Sequence, residues 1–181
     1  MSMENNKPIF IIGYMASGKT TFGEALAKRL NRKFYDLDRE IEKCLDKKVS
    51  EIFQSEGESR FREIEAEILK KIGSESNVVI SCGGGTPCFH DNLEYMRGRG
   101  VTVWLDTQVE IIYKRIEEQN EGRPLVKGLQ GEKLRLKITR QLAERLPHYV
   151  HSQIKWEGDR LEDEMEIQDN IDRFLAKYRG F

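Results

Sequence analysis

Residues 13–20 read Gly13-Tyr14-Met15-Ala16-Ser17-Gly18-Lys19-Thr20, a match to G-x-x-x-x-G-K-[ST]. In such a segment backbone N–H groups cradle phosphate oxygens, the lysine ammonium reaches the β and γ groups, and the hydroxyl reaches Mg2+. The match follows the apolar run Pro8–Ile12 and opens a helix-like segment, Lys19–Leu30, with Phe22, Leu26 and Leu30 on one stripe. Amides and the positive end of the helix dipole then point at one anion. Gly13, Ala16, Ser17, Gly18, Lys19, Thr20 and Thr21 are the expected nucleotide-binding residues, and a glycine turn that binds nothing is the plainer alternative.

A phosphate loop says that a nucleotide binds, so the reaction depends on what else reaches the γ-phosphate. Asp36-Leu37-Asp38 closes a short strand, and carboxylates two apart there suit a Mg2+ ion and an acceptor hydroxyl respectively. Asp38 alone would equally suit a helix cap. Gly83, Gly84 and Gly85 follow an apolar strand, where open parallel sheets bind ligands and a side-chain-free backbone lets a substrate approach. Alone, they make a tight turn. Arg62 sits in a helix that otherwise buries isoleucines, and Arg145 sits just before a proline break. Their planar forks suit a carboxylate, although most helical arginines are simply solvated. Together these residues point to transfer of a phosphoryl group to a hydroxyl of a small anionic metabolite.

The elements that must position them follow from periodicity. Strands are expected at Pro8–Ile12, Lys33–Asp36, Val78–Cys82, Val101–Leu105 and Ile154–Trp156. Helices are expected at Asp38–Leu45, Ser50–Gln54 and Arg60–Ile72, then from an Asp91 cap to Gly98, after a cap at Asp106 or Thr107, through Leu134–Leu146, and through Ile167–Tyr178. Residues 119–131 are polar and interrupted by glycine, and read as a mobile lid. Strands alternating with helices, most of the strands being apolar throughout, predict an α/β fold with a parallel sheet covered on both sides, and nothing divides residues 1–181 into more than one domain.

Composition narrows the partners. A formal net charge of −1 leaves no global excess for nucleic acid or an anionic membrane, so an anion must be held by a local cluster. The start lacks a basic region followed by an apolar secretory segment, and no run approaches the length of a membrane span, so a cytoplasmic protein is expected. Cys44, Cys82 and Cys88 fit reduced thiols better than a disulfide frame, and Cys82, Cys88 and His90 lack a fourth ligand for zinc.

The order and spacing of GYMASGKTTFG, YDLD, GESRFREIE, SCGGGT, GRPLV and RLPHY resemble the shikimate kinase family along nearly the whole chain. The resemblance implies a P-loop kinase three-layer sandwich, about five parallel strands in the order 2-3-1-4-5 flanked by helices, with a lid at about 119–131 and substrate-binding helices at about 38–72. It implies ATP-dependent formation of shikimate 3-phosphate in aromatic amino-acid biosynthesis, with Mg2+ as cofactor and a monomer. Lys19 and Thr20 would serve the phosphates and metal, and Asp36 would lie beside the metal. Asp38, Arg62, Gly83, Gly84, Gly85 and Arg145 would hold shikimate, the two arginines gripping its carboxylate and Asp38 its hydroxyls. Arg123 would cover the transferring phosphoryl group as a catalytic residue beside Lys19 and Asp38, and Arg115 would stack near adenine. Ala16 stands where many members have glycine, a change that an ordinary negative φ would tolerate. A gluconate kinase, a nucleoside monophosphate kinase or a nucleotide-sensing module would share the loop but need not present the arginines and triple glycine in this order.

Overall fold

The structure, a computed structural model, describes residues 6–118 and 128–178. Five strands, β1 (Ile9–Ile12), β2 (Lys33–Asp36), β3 (Val78–Ser81), β4 (Val101–Asp106) and β5 (Ile154–Glu157), form one parallel sheet in the order β2-β3-β1-β4-β5. Every side chain of β1 and β3 is buried, and alternate residues feed opposite layers. Phe10, Ile12, Val78 and Ile80 pack with helices α2 (Leu37–Leu45), α3 (Val49–Gly73) and α4 (Asn92–Arg99). Ile9, Ile11 and Val79 pack with α1 (Lys19–Leu30) and α7 (Glu164–Lys177), whose Phe22 and Phe174 meet edge to face at 5.3 Å. A third cluster joins Tyr14 to α5 (Val109–Glu118) and α6 (Gly131–Tyr149) through Ile112, Ile116, Leu134 and Ile138. Burial on both faces is why β1, β3 and most of β4 read as apolar runs, whereas the edge strands β2 and β5 carry charged residues at exposed positions.

Register sets the site. Ser81 of β3 is paired with Ile11 on one side and Asp36 on the other, so the phosphate loop, the Asp36 strand end and the triple glycine leave the same edge of the sheet side by side. Among the described residues no helix is long and apolar enough to cross a membrane.

Several boundaries differ from expectation, each for a local reason. The two helices expected between Ser50 and Ile72 are both present and meet within α3 at Gly57, whose φ of 81° and ψ of 169°, a combination open essentially to glycine, separates them without an intervening loop. Proline does not end α6. The helix continues past Pro147 to Tyr149, because a proline in the last turn removes only one bond and Tyr149 is locked by burial and by donating its O–H to Gly84 O at 2.6 Å. Asp91 precedes α4 in a left-handed conformation without capping through its side chain, and the helix ends at Arg99, not Gly98. Neither Asp106 nor Thr107 caps α5: Asp106 pairs with Lys155, Thr107 donates its hydroxyl to Ser17 O, and the Gln108 N–H goes instead to Asp159 after β5.

Candidate active site

The phosphate loop runs from β1 into α1, with Gly13 (φ 146°) and Gly18 (φ 93°) in conformations that side chains disfavour. Ala16 shares this property. Its φ of 59° corrects the expectation of a negative angle, so an alanine occupies a left-handed position at a conformational cost on the order of 1 kcal/mol. Lys19 Nζ donates to Tyr14 O at 2.7 Å, which folds the ammonium back over its own loop. Ser17 is turned inward: its N–H donates to Tyr14 O at 3.2 Å and its hydroxyl is buried without a partner among the described residues. The Thr20 hydroxyl donates to Asp36 Oδ2 at 2.8 Å. This pair of hard oxygens suits Mg2+, with phosphate oxygens and water to complete its shell. Among the described residues no three His, Cys, Asp or Glu side chains gather as a metal site, Cys82, Cys88 and His90 included.

Asp36 also caps α2, its Oδ1 accepting from Arg39 N at 3.3 Å, which leaves Asp38 in the first turn and facing the cleft. Asp38 is in a crowd of charge. Its side chain opens to the water of the cleft, yet the protein packed around it displaces enough solvent to push the carboxyl up to about 7, the carboxylates of Glu65 and Asp36 adding to the rise and Lys19 and Arg62 opposing it.

On α3 the Arg62 guanidinium is 6% exposed and held from two sides, Nη1 to Glu65 Oε2 at 2.9 Å and Nη2 to Glu58 Oε1 at 3.0 Å. Burial works against the charge on Arg62, but Glu65 and Glu58 outweigh it and raise its pKa. Glu65 is wholly buried and also accepts the Thr86 hydroxyl at 2.6 Å. Arg145 on α6 differs in having no carboxylate partner among the described residues; its Cζ lies 5.2 Å from the centroid of the Tyr14 ring.

The triple glycine explains how these groups fit. A Cβ at Gly83 would lie 2.9 Å from Glu65 Oε1 and 3.3 Å from Asp38 Oδ1, one at Gly84 would lie 3.0 Å from Arg145 Nη1, and one at Gly85 would lie 2.5 Å from Arg62 Nη2. Missing side chains are what admit the arginines and carboxylates to the turn.

Two cavities meet at the phosphate loop. One, of about 340 Å³, is lined by Asp36, Asp38, Arg62, Glu65, Gly83–Gly85 and Arg145, with Phe53 and Phe61 as apolar wall. The other, of about 520 Å³, is lined by Gly18, Thr21, Arg115, Leu161 and Glu162. Lys19, Thr20 and Ala16 belong to both. Arg115 is strongly tied there, with Glu162 Oε1 accepting from Nη2 at 2.8 Å and Nε at 2.9 Å, and Gly158 O and Ala16 O accepting from Nη1. It thus braces the loop after β5 against the phosphate loop. Arg123 lies outside the described residues.

The residues read from sequence therefore converge, Arg123 apart. Glu65, Tyr14, Glu58 and Tyr149 were not singled out. A charged residue at position 65, one residue from Ile64 and one turn before Ile68 and Leu69, interrupts a buried stripe and is the signal that identifies Glu65.

The comparisons agree with this geometry. The family model described as shikimate kinase matches residues 15–176. A shikimate kinase of Bacteroides thetaiotaomicron is 41% identical over 165 residues, covering 91% of this chain and 94% of that protein. One of Parabacteroides distasonis is 43% identical over 163 residues, covering 90% and 94%. The crystal structure of a Bacteroides thetaiotaomicron shikimate kinase aligns with a TM-score of 0.92 at 39% identity, over 95% of this chain and 98% of that one. A shikimate kinase of Acinetobacter baumannii, solved in complex with shikimate, aligns with a TM-score of 0.83 at 33% identity, over 96% and 93%. With loop, sheet order and family model all in agreement, this chain belongs to the shikimate kinase family.

Proposed function

We propose that the protein transfers the γ-phosphoryl group of ATP to a hydroxyl of shikimate, giving shikimate 3-phosphate and ADP, a step of aromatic amino-acid biosynthesis. The observation that carries this reading is the shared wall of the two cavities: Lys19 and Thr20 face both, so a phosphoryl group held by the loop is presented to whatever fills the cleft of Asp38, Arg62 and Arg145. The bound shikimate of the Acinetobacter baumannii relative supports the choice of acceptor.

Lys19 would leave the Tyr14 carbonyl for the phosphates, and its charge would neutralise developing charge on the γ oxygens, where catalysis of phosphoryl transfer chiefly resides. Thr20 and Asp36 would hold Mg2+, which supplies further charge neutralisation when bound. Arg62 and Arg145 would fix the carboxylate of shikimate. Asp38 would accept the proton as the shikimate oxygen bonds to phosphorus and the bond to the ADP oxygen breaks; an acid with a pKa of about 7 is matched to that work at neutral pH. Arg115 would shape the nucleotide side, and Arg123 would cover the phosphoryl group, a role resting on sequence alone. We treat the enzyme as a monomer of the cytoplasm; three free thiols support a reducing compartment.

A coupled assay of ADP release with ATP, Mg2+ and a panel of acceptors tests the reading. Shikimate should stimulate release strongly, whereas gluconate and nucleoside monophosphates should leave it at the rate without acceptor. Stimulation by gluconate in place of shikimate would overturn the assignment.

A further inference from the structure

Tyr14 belongs to the phosphate loop, yet its side chain serves the other cavity. The ring is 1% exposed and lies within the cluster that joins the loop to α5 and α6. Its O–H donates to Gln141 Oε1 at 2.5 Å, and the Arg145 guanidinium lies over its face at 5.2 Å. Gln141, Arg145 and Tyr149 are four residues apart, so one face of α6 presents all three to the site, the last bonded to Gly84 O. Arg62 is aimed by Glu58 and Glu65, whereas Arg145 has no carboxylate to aim it among the described residues. An arginine so placed must be aimed by neutral groups: Tyr149, one turn further along α6, interacts with it through its side chain, and the Tyr14 ring covers it from the phosphate loop. A π face within about 6 Å of a guanidinium supplies attraction without neutralising it.

We propose that Tyr14 is a positioning residue for the carboxylate of the acceptor: its ring holds Arg145 over the cleft, and its hydroxyl, through Gln141, fixes the helix that carries Arg145. The inference rests on the shikimate kinase reading, and turnover of shikimate by the wild-type protein separates failure of that reading from failure of this one.

The test is a double-mutant cycle read as kcat/KM for shikimate. Tyr14→Leu, which removes the π face, should lower kcat/KM about 3- to 10-fold through KM, the range expected for one cation–π contact, with KM for ATP moved less than about 2-fold. Tyr14→Phe, which keeps the face but gives up the bond to Gln141, should lose a smaller but measurable amount, about 1.5- to 3-fold. In an Arg145→Ala background the further loss from Tyr14→Leu should fall below about 2-fold, because the residue it serves is gone. An equal loss in both backgrounds, an equal rise in KM for ATP, or an unchanged KM for shikimate would overturn the proposal. Should Tyr14→Leu fail to fold, Tyr14→Phe and Gln141→Leu carry the test. Each should raise KM for shikimate and the pair should cost no more than the worse one, whereas additive losses or no change would contradict the linkage.

Discussion

At Asp38 function and stability pull in opposite directions. The unfolded chain ionises this carboxyl near 3.8, the folded chain only near about 7. Between those values the folded protein keeps a proton that the unfolded chain has lost, so this group removes stability as pH rises from about 4 to about 7, and the loss is complete above that window. Asp38→Asn should therefore abolish most turnover while raising Tm at pH 8 by a few degrees, on the order of 1 kcal/mol after discounting for the water of the open cleft. At pH 4 the two proteins should melt together; calorimetry at both pH values checks it, and a lower Tm for the variant at pH 8 would contradict the charge crowding. Arg62 offers a second contrast. Arg62→Lys keeps Glu65 paired and should raise KM for shikimate by about 1 to 3 kcal/mol with little change for ATP. Arg62→Ala would strand a buried carboxylate, so it should also cost about 3 to 5 kcal/mol of stability, measurable by denaturant titration. Lys19, Thr20, Asp36 and Asp38 were legible because loop and strand-end chemistry fixes their spacing. Glu65 and Tyr14 were not singled out, since their roles depend on partners 21 and 127 residues away.

Among the elements, α3 carries the most consequential irregularity. Gly57 lets its first half turn so that Val49 and Phe53 line the acceptor cleft while Arg62 projects from the second half. A Cβ at Gly57 would meet nothing within 4 Å, so Gly57→Ala tests backbone conformation alone. Strain of about 1 to 3 kcal/mol should appear as a lower Tm, and any straightening of the helix should raise KM for shikimate but not for ATP. An unchanged Tm and KM would show that the kink is incidental. Among the described residues the apolar pattern located the five strands and the α-helices, most clearly the central strands buried on both faces, but not the short 3-10 turn at Thr86–Cys88. Ends were harder to read: the cap on the N–H of Gln108 comes from Asp159, and the survival of α6 past Pro147 depends on Tyr149 reaching Gly84. Neither partner is local in sequence.

For the whole molecule the claim is that two cavities act as one reaction site because they share Lys19 and Thr20. Parallel strands deliver the loop, the carboxylates and the glycine turn to one edge, and α6 closes the circuit by carrying Arg145 to Tyr14 and Tyr149 to Gly84. If the shared wall is where transfer happens, the phosphoryl group must pass directly between ligands and not to water. The decisive measurement is the fate of the γ-phosphoryl group, followed by phosphorus NMR in a mixture of protein, ATP, Mg2+ and shikimate. Direct transfer predicts ADP and a phosphate ester of shikimate in equal amounts, with little free phosphate and a loss of at least about 100-fold in Lys19→Ala. ADP accompanied by free phosphate alone, at the same rate with and without shikimate, would contradict it.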